Sequence, residues 1–112
     1  MRVGIDSVEI SRIKKSLEIP GFAKKVYSPE ELEFLKRAES YAGNFAAKEA
    51  FSKALGTGIR GFSLNEISVP RDSLGAPYLK LDGKALEAAK GLSFTVSITH
   101  TKDTATAIVI AY

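Results

Sequence analysis

The chain has 112 residues, of which 45% are hydrophobic and 26% are charged, and its formal net charge is +3. This size and composition predict one globular domain spanning residues 1–112. The absence of cysteine excludes disulfides and thiolate chemistry, and no apolar run approaches the ~20 residues of a membrane span. The first residues include two acids and no apolar targeting segment, so we expect a soluble, cytoplasmic protein.

The first half of the chain is predicted to be mainly helical. A short strand at residues 3–6 precedes a helix whose apolar residues recur at helical spacing until a Pro-Gly pair ends it. The sequence Ser28-Pro29-Glu30-Glu31 is typical of a helix start, with a capping box and a proline in the first turn. A longer helix is predicted over residues 41–55, followed by Gly56 and Gly58 as C-cap glycines.

The second half is predicted to be mainly strands. Four segments are rich in strand-forming residues: residues 64–69, 78–81, 94–99 and 104–111. A turn at residues 72–75 joins the first two, and a short helix covers residues 83–91. The last strand is apolar on both faces, which predicts that the core or a second subunit covers it. Helices gathered before strands favour an α+β fold.

Two acidic residues are candidates for chemistry, and each has a structural alternative. Asp6 ends an apolar strand, where it could cap the following helix or bind a metal. Glu49 lies among alanines in the long helix, where it could pair with Lys53 four residues on or be a buried carboxylate that needs a partner. Two carboxylates with water and phosphate oxygens are a usual way to hold Mg²⁺. Lys48 and Lys53 could neutralise phosphate charge nearby.

The only histidine, His100, ends a hydroxyl-rich strand, residues 97–101. A histidine there can be a structural hydrogen-bonding group, or the cluster can bind phosphate oxygens. Neither a GxxxxGK[ST] phosphate loop nor a GxGxxG motif is present.

Basic residues are concentrated in the first helices and are opposed there only by Glu18. We call this set the basic surface, and it comprises Arg12, Lys14, Lys15, Lys24 and Lys25. It is either a solvated helix face or a docking surface for an acidic partner. Nucleic acid is poorly supported as that partner, because Phe22 is the one aromatic residue available for base stacking.

Several motifs together resemble one known family, the holo-[acyl-carrier-protein] synthases, which are the short, stand-alone 4′-phosphopantetheinyl transferases. The similarity runs through nearly the whole chain in order: Gly4-Ile5-Asp6 with Glu9 and Arg12-Ile13, Phe45–Ala50, Lys53–Gly58, Gly75-Ala76-Pro77, and Ser97–Thr101. The resemblance implies an α+β fold of the phosphopantetheinyl transferase type, with helices packed on a small antiparallel sheet. It also implies transfer of 4′-phosphopantetheine from coenzyme A to a serine of apo acyl carrier protein, in support of fatty acid biosynthesis.

The resemblance assigns roles to particular residues. Asp6 and Glu49 match the Mg²⁺ ligands, and Lys53 matches the residue expected to touch the reacting phosphate. Three further positions match residues that line the coenzyme A phosphates: Lys48, His100 and Thr101. Gly75 and Pro77 match the segment beside the adenine. The base that accepts the serine proton is either Glu49 or a metal-bound water.

The resemblance also implies partners. Carrier proteins of this kind are acidic, so the basic surface becomes a docking site, with Arg12 best supported and Lys15, Lys24 and Lys25 beside it. A homotrimer with active sites between subunits is implied, and the apolar last strand would then lie at an interface. Neither nucleic acid nor a membrane is implied.

The chain departs from the family pattern in two places, and two other functions compete with the one implied. Asn44 replaces the arginine that often precedes FAAKEA, which removes one possible phosphate or carrier contact, and Thr99 and Thr101 replace serines but keep the hydroxyl groups. One competing function is a non-enzymatic basic module that binds RNA or an acidic protein. The other is a broad-specificity transferase for peptide or polyketide synthesis, a class about twice this length.

Overall fold

The computed structural model describes residues 1–56 and 61–112. The elements follow one another along the chain as β1 (Arg2–Glu9), α1 (Ile10–Ser16), α2 (Phe22–Val26), α3 (Pro29–Phe34), α4 (Ala38–Leu55), a 3₁₀ turn (Leu64–Glu66), β2 (Ile67–Ser68), β3 (Lys80–Leu81), α5 (Gly83–Ala89), β4 (Phe94–His100) and β5 (Thr104–Ala111). The predicted α+β arrangement, with helices packed on a small antiparallel sheet, is confirmed. Within the described ranges, no helix has the length and apolar character needed to cross a membrane.

The main sheet has three antiparallel strands in the order β1–β5–β4, so the last strand of the chain is the central one. Alternate residues of β5 pack into the core on one side: Ala105, Ala107, Val109 and Ala111. Helix α4 lies across this face. Its inward side is lined by alanines, whose small side chains allow the helix backbone to approach the sheet closely.

The closest approach of helix and sheet is at Gly4 in β1. A Cβ atom at this position would overlap the backbone oxygen of Ala50 and would lie 2.6 Å from the backbone nitrogen of Ala54. Only glycine therefore lets β1 rest directly on α4. This contact determines how the end of β1 meets the middle of the helix.

The other face of the sheet is partly exposed although it carries apolar side chains. Val3 and Ile5 are 60% and 58% exposed, and their cross-strand neighbours Ile110 and Ile108 are half-buried. The prediction that β5 is covered on both faces is thus confirmed for the core face. Nothing within the described residues covers the opposite face to the same extent.

The predicted helix signals in the first half are confirmed. Ser28 and Glu31 form a complete capping box at the start of α3, with Pro29 in the first turn. Helix α4 begins three residues earlier than predicted and ends at Gly56, whose φ of 79° gives the left-handed C-cap. Gly58, the second predicted C-cap glycine, lies outside the described residues.

The two middle strands are shorter than predicted. Residues 64–66 form a 3₁₀ turn because the side chains of Ser63 and Glu66 complete a second capping box, and this local bonding competes with strand pairing. Regular pairing in this segment is limited to the two-residue strands β2 and β3, and Arg71 and Pro77 form an isolated bridge beyond them. The predicted turn at residues 72–75 is confirmed, since the Asp72 carboxylate accepts hydrogen bonds from the backbone of Leu74 and Ala76.

Candidate active site

A carboxylate pair lies where β1 crosses α4. Asp6 projects from β1 and Glu49 from α4, and the Lys53 ammonium donates to Asp6 Oδ1 at 3.1 Å and to the carbonyl of Ile5 at 3.0 Å. The Asp6 side chain is 17% exposed and that of Lys53 is 56% exposed. The site is therefore walled by backbone on one side and open to solvent on the other.

The two carboxylates are close enough to influence each other. Burial raises the pKa of Glu49, and the negative charge of Asp6 raises it further, while the charges of Lys53 and Arg12 oppose the shift. Two facing carboxylates destabilise each other's charge unless a cation lies between or beside them. Lys53 supplies part of this neutralisation.

The structure does not support the two structural alternatives, in which Asp6 caps a helix and Glu49 pairs with Lys53. Asp6 does not cap a helix, because β1 continues to Glu9 and Glu9 itself occupies the N-cap position of α1. Lys53 bonds to Asp6 on the neighbouring strand, whereas the sequence alternative paired it with Glu49 on its own helix. The sequence spacing could not show this bond, because it joins residues 47 positions apart.

The residues present fit a hard divalent cation. Within residues 1–56 and 61–112, no three acidic or histidine side chains cluster as a complete ligand set. A pair of carboxylates facing solvent suits Mg²⁺, which keeps several waters and is commonly held by one or two carboxylates together with substrate phosphates.

The structure contradicts the prediction that Lys48 lines the coenzyme A phosphates. The Lys48 side chain is fully buried and forms an ion pair with Glu31 at 2.5 Å. Its ammonium also donates to three backbone carbonyls: those of Val26, Leu64 and Ile67. With its donors used inside the protein, Lys48 has none to offer a phosphate in solvent.

Lys48 belongs to a buried polar cluster that the sequence patterns do not predict. Glu31 was predicted only as a capping residue, yet it also accepts from Lys48, from the Asn44 amide at 2.8 Å and from the backbone of Val69 at 3.2 Å. Asn44, noted for replacing the family arginine, is fully buried, and its Oδ1 accepts from Arg71 at 2.8 Å. The sequence signal for this cluster is the presence of two polar residues, Asn44 and Lys48, on the otherwise apolar face of α4.

His100 and Thr101 lie away from the carboxylate pair of the same chain. Val8 and His100 both pair with Ala105, so they face each other across β5. From the strand spacing and the rise per residue, the Cα atoms of His100 and Asp6 are about 12 Å apart. Thr101 closes the β4–β5 turn, where its hydroxyl accepts from the backbone of Asp103 and Thr104. The fold of a single chain therefore does not place His100 and Thr101 beside Asp6.

Gly75 and Pro77 lie in the hairpin that joins β2 to β3. Gly75 has a φ of 87°, which favours glycine, and closes the turn by donating to the carbonyl of Asp72 at 3.0 Å. Pro77 pairs with Arg71 across the hairpin. The hairpin is mostly exposed.

The basic surface is exposed on α1 and α2. Lys14 and Lys15 lie in the last turn of α1, and Lys24 and Lys25 in the last turn of α2, where cations interact favourably with the helix dipole. This stabilising role does not exclude docking. Helix α1, which carries Arg12, packs against α4, and the positive charge of Arg12 opposes the rise in the pKa of Glu49.

The sequence of this chain is similar to the sequences of known proteins that all belong to one family. A sequence model of the 4′-phosphopantetheinyl transferase superfamily matches residues 2–109. The chain is 48% identical to a holo-[acyl-carrier-protein] synthase of Treponema denticola, over 96% of this chain and 94% of that protein. It is 42% identical to the corresponding enzyme of Fusobacterium nucleatum, over 96% of this chain and 95% of that protein.

Solved structures show the same similarity. The crystal structure of a Helicobacter pylori holo-[acyl-carrier-protein] synthase in complex with coenzyme A has a TM-score of 0.89 at 33% identity, covering 98% of this chain and 99% of that one. A Bacillus anthracis synthase in complex with coenzyme A (3′,5′-ADP) has a TM-score of 0.83 at 36% identity, covering 98% and 94%.

Proposed function

The chain belongs to the 4′-phosphopantetheinyl transferase superfamily, and we propose from this, together with the site, that it acts as a holo-[acyl-carrier-protein] synthase. It transfers 4′-phosphopantetheine from coenzyme A to a serine of apo acyl carrier protein. The serine oxygen forms a bond to the β-phosphorus of coenzyme A, and the bond from that phosphorus to the bridging oxygen breaks. The products are holo acyl carrier protein and adenosine 3′,5′-bisphosphate.

The observation that carries this proposal is the meeting of Asp6, Glu49 and Lys53 where β1 crosses α4. Asp6 and Glu49 would hold Mg²⁺, which would supply Lewis-acid stabilisation of charge on the pyrophosphate. Lys53 is half-exposed beside Asp6 and would bind the reacting phosphate, so that its charge stabilises the leaving group.

The serine proton needs an acceptor within hydrogen-bond reach of the attacking oxygen. Glu49 is one candidate, because burial and Asp6 raise its pKa and so increase its basicity. A water in the site is the other candidate.

The basic surface is the proposed docking site for the carrier protein. Its side chains are exposed, and helix α1, which carries Arg12, packs against the helix that carries Glu49. A surface of one charge sign speeds and orients the encounter with an acidic partner. Arg12 would be its most important member, with Lys15, Lys24 and Lys25 as the outer contacts.

A homotrimer with shared sites is also proposed. The partly exposed apolar face of the sheet, which includes Val3 and Ile5, is a surface that a second copy could cover. Because His100 lies about 12 Å from Asp6 of its own chain, it would serve the carboxylate pair of a neighbouring copy. In that arrangement His100 and Thr101 bind coenzyme A phosphates, and Gly75 with Pro77 flanks the adenine.

The lengths of the relatives argue against a function as one of the longer, broad-specificity transferases. The synthases of Treponema denticola and Fusobacterium nucleatum are covered to 94% and 95% of their lengths by this chain. We propose that the substrate is a free acyl carrier protein of cytoplasmic fatty acid biosynthesis.

The test is intact-mass spectrometry of an apo acyl carrier protein incubated with this protein, coenzyme A and Mg²⁺. We expect the carrier to gain one phosphopantetheine, and we expect a chelator to abolish the gain. No gain with several carriers, from a protein shown by circular dichroism to be folded, would refute the proposal. Salt-sensitive RNA binding by the same sample would then favour the basic binding module.

A further inference from the structure

The hairpin of residues 70–78 has few backbone bonds of its own. Its two sides are joined by the Asp72 amide, which donates to the carbonyl of Ala76 at 2.8 Å, and by the Tyr78 amide, which donates to the carbonyl of Pro70 at 3.2 Å. At the tip, Leu74 is 93% exposed. At the base of the hairpin the pairing of β2 with β3 continues this short ladder, and side-chain contacts there add to its support.

Arg71 provides such a contact at the base of the hairpin. Its Nη2 donates to Oδ1 of Asn44 at 2.8 Å, and its Nη1 donates to the carbonyl of Val69 at 2.6 Å. The planar guanidinium thus bonds to α4 and to the chain entering the hairpin at the same time. Lysine cannot reproduce this geometry, because its ammonium is a single point of charge.

Asn44 is itself held firmly. It is fully buried, and its Nδ2 donates to Oε2 of Glu31 at 2.8 Å and to the carbonyl of Val69 at 3.1 Å. Asn44 and Glu49 belong to the same helix, α4. Arg71 therefore links the hairpin to the rigid element that carries one of the site carboxylates.

We infer that Arg71 is a positioning residue, which sets the direction of the hairpin relative to Glu49 and thereby the affinity for the nucleotide end of coenzyme A. The inference rests on the proposed function, in which Gly75 and Pro77 of this hairpin flank the adenine. Arg71 acts through the hairpin, and its own guanidinium donors are directed at Asn44 and Val69.

The first test compares Arg71→Met with Arg37→Met by amide hydrogen exchange. Methionine keeps the length of the side chain and removes its hydrogen bonds, and Arg37 is a matched control because its side chain is 80% exposed. We expect the amides of Asp72 and Tyr78 to exchange at least about fivefold faster in Arg71→Met and amides of β5 to be unchanged. Unchanged exchange in the hairpin would show that Arg71 does not anchor it.

The second test is steady-state kinetics of transfer with the same variants. In Arg71→Met we expect KM for coenzyme A to rise about five- to tenfold, with kcat and the carrier KM within about twofold of wild type, because uniform binding is lost. Arg71→Lys should resemble Arg71→Met, and Arg37→Met should resemble wild type. Faster hairpin exchange with an unchanged KM for coenzyme A would overturn the positioning role, as would a fall in kcat alone.

The two measurements separate this inference from the proposed function. If wild-type protein transfers no phosphopantetheine, the proposed function fails, and so does the role of Arg71 in coenzyme A affinity. Hydrogen exchange would still decide whether Arg71 anchors the hairpin. If wild-type protein is active and Arg71→Met behaves as wild type in both tests, only the inference about Arg71 fails.

Discussion

Replacing Lys48 with methionine should destabilise the protein severely while leaving coenzyme A binding intact. The substitution removes an ammonium that Glu31 and three backbone carbonyls share, and both charged side chains are fully buried. The carboxylate of Glu31 would remain buried without its counter-ion. Removal of one partner of a buried ion pair costs about 3–5 kcal/mol.

This cost converts into a large change in melting temperature. The entropy of unfolding is about 2.1 cal/mol/K per residue, or about 0.24 kcal/mol/K for a chain of this length. A loss of 3–5 kcal/mol therefore lowers Tm by about 13–21 °C. Calorimetry and urea unfolding at one fixed protein concentration measure the effect, since any self-association makes stability depend on concentration.

A matched control and a kinetic assay make the prediction refutable. Lys53→Met removes a half-exposed ammonium paired with Asp6, and it should cost less than about 1 kcal/mol of stability. Lys48→Met, assayed below its melting temperature, should keep the wild-type KM for coenzyme A. A loss of stability below about 1 kcal/mol together with a large rise in this KM would refute the reasoning and restore Lys48 as a phosphate ligand.

The same pair predicts a dependence of stability on pH. Burial lowers the pKa of Lys48 to about 8 from 10.5, although Glu31 opposes the shift. Between these values the unfolded chain binds more protons than the folded chain, so this contribution to the free energy of unfolding rises with pH. We expect the stability difference between wild type and Lys48→Met to increase from pH 8 towards pH 10. A difference independent of pH would contradict the lowered pKa.

Three other predictions concern the site and its support. Asp6→Asn and Glu49→Gln should each reduce Mg²⁺-dependent transfer at least about a hundredfold with little change in Tm; near-normal turnover by both would rule out the metal assignment. Arg12→Glu should raise the carrier KM about tenfold at low salt and leave the KM for coenzyme A unchanged, and equal effects on both would remove the docking role. Gly4→Ala should cost about 3 kcal/mol by urea unfolding, because its Cβ would overlap the backbone of Ala50; wild-type stability would show that β1 can move away from α4.

Local signals in the sequence predicted the helices well because their causes are local. Ser28, Pro29 and Glu31 satisfy the first turn of α3 through neighbours within three residues. Gly56 ends α4 through its own backbone conformation. Patterns of this kind need no tertiary information, so they can be recognised before the fold is known.

The sequence predicts Asp6 and Glu49 as two separate candidates. It could not predict how the two carboxylates are placed relative to each other. Asp6 and Glu49 lie on different elements, and their approach depends on the missing side chain of Gly4. Motif similarity identified the residues without giving the arrangement. The pairing of Lys53 with Asp6 needed the structure.

Lys48 shows where similarity of motif misleads. Lys48 directly precedes Glu49 in sequence, but successive residues of an α-helix point about 100° apart, so Glu49 lies beside Asp6 whereas Lys48 faces the core. Its counter-ion Glu31 is 17 residues away in another helix. The composition of the segment gives no indication of such a pairing.

The order of strands in the main sheet has a consequence for synthesis of the protein. Among the described strands, β1 is made first and its partner β5 is made last, with Arg2 paired to Ala111. A nascent chain whose final strand is still within the ribosome has no central strand on which β1 and β4 can assemble. Contacts between the ends of a chain also carry the largest loop-closure cost. A product truncated before β5 would therefore lack the strand that pairs with β1 along Arg2–Glu9, although it would contain both carboxylates.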